Sequence, residues 1–487
     1  MRDPQHSGSA GLRERLPRAD AGTAARLFLG LSATVALLLG GCAAPPAGER
    51  SIQAGTAKIQ ITPEEPVLLA GYGSRDHPSE GVAADLFARA LAFGDGTGQA
   101  KVLVTADIIG FGPLLSRSIK AEAARRYGLS EENLLLVGSH THNGPVISER
   151  VLVDHPEQVK ANDAYVDGLQ TKILKLIGEA LQNREPVRLE WSRGHADFGM
   201  YRRVPKPDGT WVFGDHPEGT TDPEVPVMTL RTPGGSLKAL FFTYACHCTS
   251  IRSGKDRFYF IHPDWAICCS NLEKKLPGTQ VMFVTGCGGD IDPGPKGPLA
   301  RAEENGAAMQ AALEQVLSKG AFQSVQGPIL ASFRRIELPL EKIDPAAVQA
   351  MIQGGRPGDQ KFARGLELRL QNGEACGRPI SYPIATWRFG SGPTLVALSG
   401  EVCVGYALRL KKELGADKVW PVGYANEVMC YIPSERVLHE NGYESGWSPK
   451  WGRGVAAFQM SGSGWDAPFA YGLEDRILST VHELLKE

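Results

Sequence analysis

The sequence lacks any surplus of positive charge. Its 52 Lys and Arg against 54 Asp and Glu leave a formal net charge of −2. That excludes the basic footprint a nucleic-acid binder would need. It also lacks the spaced Cys-x-x-Cys pairs of structural zinc sites. The nearest approaches, Cys246-His247-Cys248 and Cys268-Cys269, read as small buried hydrophobes. No internal repeat and no obvious linker divides the chain. The apolar run Leu27–Leu39 is short for a membrane span.

What is present starts with a processed-looking N-terminus. Arg13, Arg15, Arg18 and Arg26 precede that apolar run, and Gly40-Gly41-Cys42 follows it. Charged, apolar and small-residue regions in this order make a secretory signal. A cysteine directly after Leu-Gly-Gly resembles the lipobox of bacterial lipoproteins. The expectation is a signal over residues 1–41, lipidation at Cys42, and a flexible tether over 42–51. Such a protein is anchored in the bacterial cell envelope, and Ala43 in place of aspartate points to the outer membrane.

The remainder, 42% hydrophobic in a 487-residue chain, is enough for a large core. Apolar strand-like runs alternate with helical ones. Strands are expected at Lys101–Ile109, Leu134–Gly138, Pro186–Ser192, Val225–Arg231, Leu237–Ala245, Gln280–Thr285 and Leu395–Leu398. Helices are expected at Leu114–Tyr127, from Asp163 to Asn183, and at Asp264–Leu276, Pro298–Ser318, Val404–Leu414 and Leu473–Leu485. Polar, glycine-rich Gln353–Gly377 reads as a mobile excursion. The alternation predicts an α/β fold: mixed β-sheets layered with helices in one large domain over 52–487.

The chemistry-bearing residues fall at the ends of apolar runs. Asp107 lies within VLVTADI, His140 and His142 follow LLLVGS, and His247 follows LFFTYAC. Asp290 and Asp292 follow VMFVTGCGG, and Glu401 follows LVALSG. Strand ends are where open α/β sheets bind ligands. Histidines and a carboxylate gathered from separate strand ends make a plausible catalytic zinc site, with one position left for water. His140 and His142, at i and i+2, can face one cavity, both as ligands or one beside the other.

The landmarks GYGSRDHPSEGVAADLFARA, TADIIG, GSHTHNGP, YACHCTSI, GCGGDIDP, SGEVCVGYALRL and YANEVMCYIPSERVLHENGYESG, in this order, resemble the neutral ceramidase family in its N-terminal catalytic domain. The resemblance implies one zinc ion held by His140, His247, Glu401 and Tyr431. It implies that Tyr443 hydrogen-bonds the substrate carbonyl, and that His142 stands beside the metal to transfer a proton or polarise substrate. Arg202, with Arg203 as a close second, would sit at the substrate site.

Two departures stand out. The family's serine, in a Gly-Asp-x-Ser-Pro segment, is replaced by Asp292 in Gly289-Asp290-Ile291-Asp292-Pro293. Asp292 is expected to take a proton from water instead. The expectation is also that no C-terminal immunoglobulin-like domain of the family's kind follows the catalytic domain. The expected function is zinc-dependent hydrolysis of an amide, such as that of an N-acyl lipid, by metal-activated water. The alternatives are ester hydrolysis on the same scaffold, or a metal-containing lipoprotein that binds lipid or glycan without turnover.

Overall fold

Three parallel strand pairs, each built from apolar runs, organise the molecule. In the computed structural model the described residues are 52–94, 98–147, 159–252, 254–355, 357–374, 376–445, 447–448, 452–456 and 467–487. The expected signal, Cys42 and the tether lie outside them.

The first pair is Lys101–Ala106 beside Leu134–Gly138. It extends antiparallel through Phe87–Gly94 and Gln53–Gln60 into a five-stranded sheet. The second pair, Leu237–Tyr244 and Gln280–Thr285, extends through Glu224–Arg231 and Arg188–His195 into another five-stranded sheet. The third, Thr394–Leu398 and Val419–Val422, joins Ile380–Phe389 and Ile329–Leu338 in a four-stranded sheet.

One core binds the three sheets. Phe93, Leu135 and Val137 of the first meet Trp191, Met228 and Phe241 of the second and Trp387, Leu395 and Trp420 of the third. Each sheet turns its other face to helices. Pro113–Tyr127 and Val159–Gln182 cover the first, Cys268–Lys275 and Leu299–Lys319 the second, and Val404–Leu414 and Leu473–Leu484 the third. The terminal helix buries Leu473, Ile477, Leu478, Val481 and Leu484 on one stripe, as an amphipathic helix must. The result is the expected α/β architecture, and no helix among the described residues is long and apolar enough to cross a membrane.

Most expected elements are present with ends shifted by a few residues. One expectation is corrected. Gln353–Gly377 is no excursion: Pro345–Gly354 and Pro357–Gln371 are helices. They share a small core of Ala347, Val348, Met351, Ala363 and Leu366. Glycines and polar residues there masked an apolar stripe at helical spacing. Cys246, Cys248, Cys268 and Cys269 are all buried, which matches their reading as small hydrophobes.

Candidate metal centre

Each parallel pair delivers its C-terminal ends to one place. The first sheet contributes His140 and His142, the second His247 and the Gly286–Asp292 turn, and the third Glu401 with the Tyr424–Tyr431 segment. This is the strand-end geometry expected of a ligand site in an α/β sheet.

Local backbone shape aims the side chains. His140 adopts the left-handed region (φ 62°), and so do Tyr424 (φ 54°) and Asn426 (φ 58°). Such conformations cost non-glycine residues about 1–2 kcal/mol each and cluster at functional sites. The glycine-rich turn passes too close to its neighbours for any side chain. A Cβ on Gly288 would lie 2.5 Å from Cys246 N, and one on Gly289 would lie 2.5 Å from Glu401 O.

The imidazoles converge. His142 Nε2 lies 3.2 Å from His140 Nε2, and Glu401 Oε2 lies 3.2 Å from both His140 Nε2 and His247 Nε2. One ring nitrogen from each of the three histidines falls within 4.8 Å of the others, and all three residues are buried. His140 Nδ1 faces the Ile109 carbonyl at 2.6 Å, and His247 Nδ1 faces the Gly288 carbonyl at 2.7 Å. A carbonyl only accepts, so both Nδ1 atoms carry the proton and both Nε2 atoms point lone pairs inward. Metal-bound histidines are oriented in this way. Lone pairs and a carboxylate converging on one point need a cation or protons between them. The donor set therefore fits a divalent metal that accepts nitrogen and oxygen.

Burial would raise the Glu401 carboxyl, but the His140 and His247 imidazoles outweigh it and hold it well below the usual range. Burial also drives His142 and His247 down, aided at His142 by the other two imidazoles and at His247 by Arg202. Tyr431 pairs through its backbone with Glu401, and its ring stacks over His247 at 6.4 Å. Burial and the Glu401 carboxylate push its phenol well up. Tyr443 packs edge-on against Tyr431 at 5.5 Å and against Phe213 at 5.3 Å, and is partly exposed.

A buried ionic cluster adjoins the imidazoles. Arg202 donates to His247 Nε2 (3.1 Å), Asp292 Oδ1 (2.9 Å), Gly289 O (2.7 Å), Tyr431 Oη (3.0 Å) and Glu444 Oε1 (2.9 Å). Arg203 points elsewhere, to Glu444, Glu440 and the Asn441 carbonyl, because adjacent strand residues face opposite sides. Of the two arginines, only Arg202 meets the site.

Asp292 does reach this neighbourhood, but its setting conflicts with the expected role of proton acceptor. Its carboxylate is clamped by Arg202 at 2.9 Å and Lys296 at 2.9 Å. Burial alone would raise its pKa, yet these two cations hold it far below the carboxylate range. A carboxylate so held has little affinity for a proton, and the Arg202 guanidinium lies between it and His247.

Sequence reasoning missed Tyr424, whose ring lies 4.5 Å from His140, and Glu444, which anchors both arginines. Glu444 follows no apolar run, and Tyr424, which does close one at Val419–Val422, is not one of the residue types that mark a metal site.

Comparison with known proteins bears out the resemblance read from the motifs. Residues 52–260 match the family described as neutral/alkaline non-lysosomal ceramidase, N-terminal. Neutral ceramidase A of Dictyostelium discoideum is 26% identical over 278 residues, which are 52% of this chain and 37% of that protein. Neutral ceramidase B of the same organism is 23% identical over 275 residues, again 52% of this chain and 37% of the relative. The matched part thus spans little more than a third of these curated relatives. The solved neutral ceramidase from Pseudomonas aeruginosa is similar at TM-score 0.63 and 19% identity, over 85% of this chain and 73% of that one. A ceramidase complexed with C2 gives TM-score 0.63 at 17% identity, over 85% and 74%. At these identities the structural likeness establishes the shared fold.

Proposed function

We propose that this protein is a zinc-dependent hydrolase that cleaves the amide of an N-acyl, ceramide-like lipid, tethered through Cys42 to the bacterial envelope. The observation that carries the reading is the convergence of His140 Nε2, His247 Nε2 and Glu401 Oε2, with both Nδ1 atoms engaged by carbonyls. His140, His247, Glu401 and Tyr431 would hold the ion. Zinc there would lower the pKa of a bound water to about 7 and polarise a carbonyl.

The protein's own groups supply the rest. His142 is the proton acceptor: its Nε2 faces the other ring nitrogens, whereas Asp292 is set behind the Arg202 guanidinium. It can then return the proton to the departing amine. Tyr443, at the open side beside Tyr431, hydrogen-bonds the substrate carbonyl. Arg202 holds the Tyr431 hydroxyl and the His247 ring in register. Asp292 is a fixed counter-charge to Arg202 and Lys296 rather than a base.

The family's serine is absent, which favours one second reading: a metal-containing lipid binder without turnover. The test is hydrolysis of a panel of N-acyl amides and the matching esters. Chelator should stop amide cleavage and zinc should restore it. Zinc-loaded protein that cleaves no amide overturns the reading, and binding without cleavage of either bond leaves the lipid binder.

A further inference from the structure

The three imidazoles are not held alike. His140 and His247 each anchor Nδ1 on a backbone carbonyl, whereas the buried Nδ1 of His142 has no hydrogen-bond partner. Something other than hydrogen bonding must fix the Nδ1 side of that ring.

The segment Ala70–Arg75 lies against it. Gly71 has φ 90°, and a Cβ added there would lie 2.3 Å from His142 Cγ and 2.4 Å from its Nδ1. The bare backbone therefore rests on the imidazole itself. Tyr72 meets the same ring edge-to-face at 4.9 Å and donates its hydroxyl to the Ile251 carbonyl at 2.8 Å. Ala70 N donates to the Gly144 carbonyl at 2.9 Å, which straps the segment to the residues after His142.

Arg75 closes the arrangement. It is buried, and no carboxylate among the described residues pairs with it. Its guanidinium donates instead to three carbonyls: Ala70 at 2.6 Å, Phe258 at 2.6 Å, and that of His142 itself. It also lies over the Tyr72 ring at 5.0 Å and the Phe258 ring at 4.4 Å. Burying a cation without a counter-charge is costly, so such a site persists where the surrounding structure demands it.

We propose that Gly71, Tyr72 and Arg75 form a clamp that positions the His142 imidazole by packing and by its backbone carbonyl. Because the clamp uses no ring nitrogen, it leaves Nε2, which faces the other imidazoles, available for proton transfer. These are positioning residues, and their catalytic consequence rests on the reading of His142 as proton acceptor.

The test compares Arg75→Met and Gly71→Ala in the native background and in His142→Gln. In the native background each variant should lower kcat about 10- to 100-fold, as ångström-scale misplacement does, with KM within about threefold. Zinc content should be unchanged. In the His142→Gln background neither should slow the protein further, since the group it positions is gone. Equal losses in both backgrounds overturn the clamp. A readout independent of turnover is 15N-histidine NMR of the zinc-loaded protein. The His142 ring signals should shift or broaden in both variants while those of His140 and His247 stay in place. An unmoved His142 signal overturns the clamp even if the native protein cleaves nothing, an outcome that would by itself sink only the proposed function. Should Arg75→Met fail to fold, Gly71→Ala, which touches the ring directly, decides alone.

Discussion

Two buried polar regions lie side by side and differ in how their charges are met. In the ionic cluster, Arg202, Arg203 and Lys296 face Asp292, Glu444, Glu440 and Asp215, and each cation has a carboxylate. Among the imidazoles, lone pairs and the Glu401 carboxylate face one another, with Arg202 donating to His247 Nε2 from the side. The first region is complete as it stands and acts as scaffold. The second is completed by a cation. That contrast separates the residues that hold the site from those that react in it, and it moves Asp292 from one group to the other.

The comparison breaks most visibly on the imidazole side. His140→Ala or His247→Ala should abolish zinc retention and bring turnover to background, read by metal analysis and amide hydrolysis on the same samples. The fold should survive, because neither ring belongs to the shared core.

On the scaffold side, Arg202→Met leaves Asp292 and Glu444 as buried charges short of a partner. It should cost about 3–5 kcal/mol in urea unfolding, a stability loss that the imidazole variants do not share.

Asp290 gives a pH signature. Burial raises its carboxyl to about 6, although Val404 N donates to it at 2.7 Å. Its folded pKa lies above an unfolded value of about 3.9. The stability it contributes is therefore complete below about pH 4 and is lost as pH rises through about 6. Asp290→Asn keeps an acceptor for Val404 N, so it should remove that decline and stabilise the protein at pH 7 by up to about 3 kcal/mol. Unfolding midpoints across pH 4–8 would show it.

Asp292 sharpens the contrast with the smallest expected change in rate. Its folded pKa is depressed, so the stability it contributes is present above about pH 4 and falls away in acid. Asp292→Asn should flatten acid unfolding and lower stability by about 1–3 kcal/mol. Its kcat should fall less than about tenfold, whereas loss of a general base costs about 10²–10⁴-fold.

The sequence carried the strand ends well, for a physical reason. Leu134–Val137, Ala239–Phe242 and Val281–Val284 are continuous apolar runs, as strands buried on both faces must be. The polar residue closing each run then stands out. Phe87–Gly94 was invisible because Phe-Ala-Arg-Ala-Leu-Ala-Phe-Gly is rich in alanine, a poor strand former, and only its neighbours make it a strand. The helices at Pro345–Gln371 were hidden by their polar faces. Glu401 stood out in the same way after Leu395–Leu398, whereas Arg202 was reached through the resemblance. Glu444 and the carboxylate-free burial of Arg75 belong to contacts between distant segments, which no local pattern encodes.

The central claim is that the converging imidazoles and Glu401 hold zinc. Anomalous X-ray scattering at the zinc edge, from crystals of the zinc-loaded protein, tests it most directly. A single strong peak is expected about 2.0–2.2 Å from His140 Nε2, His247 Nε2 and a Glu401 oxygen. A zinc peak elsewhere, with these three groups uncoordinated, would contradict it.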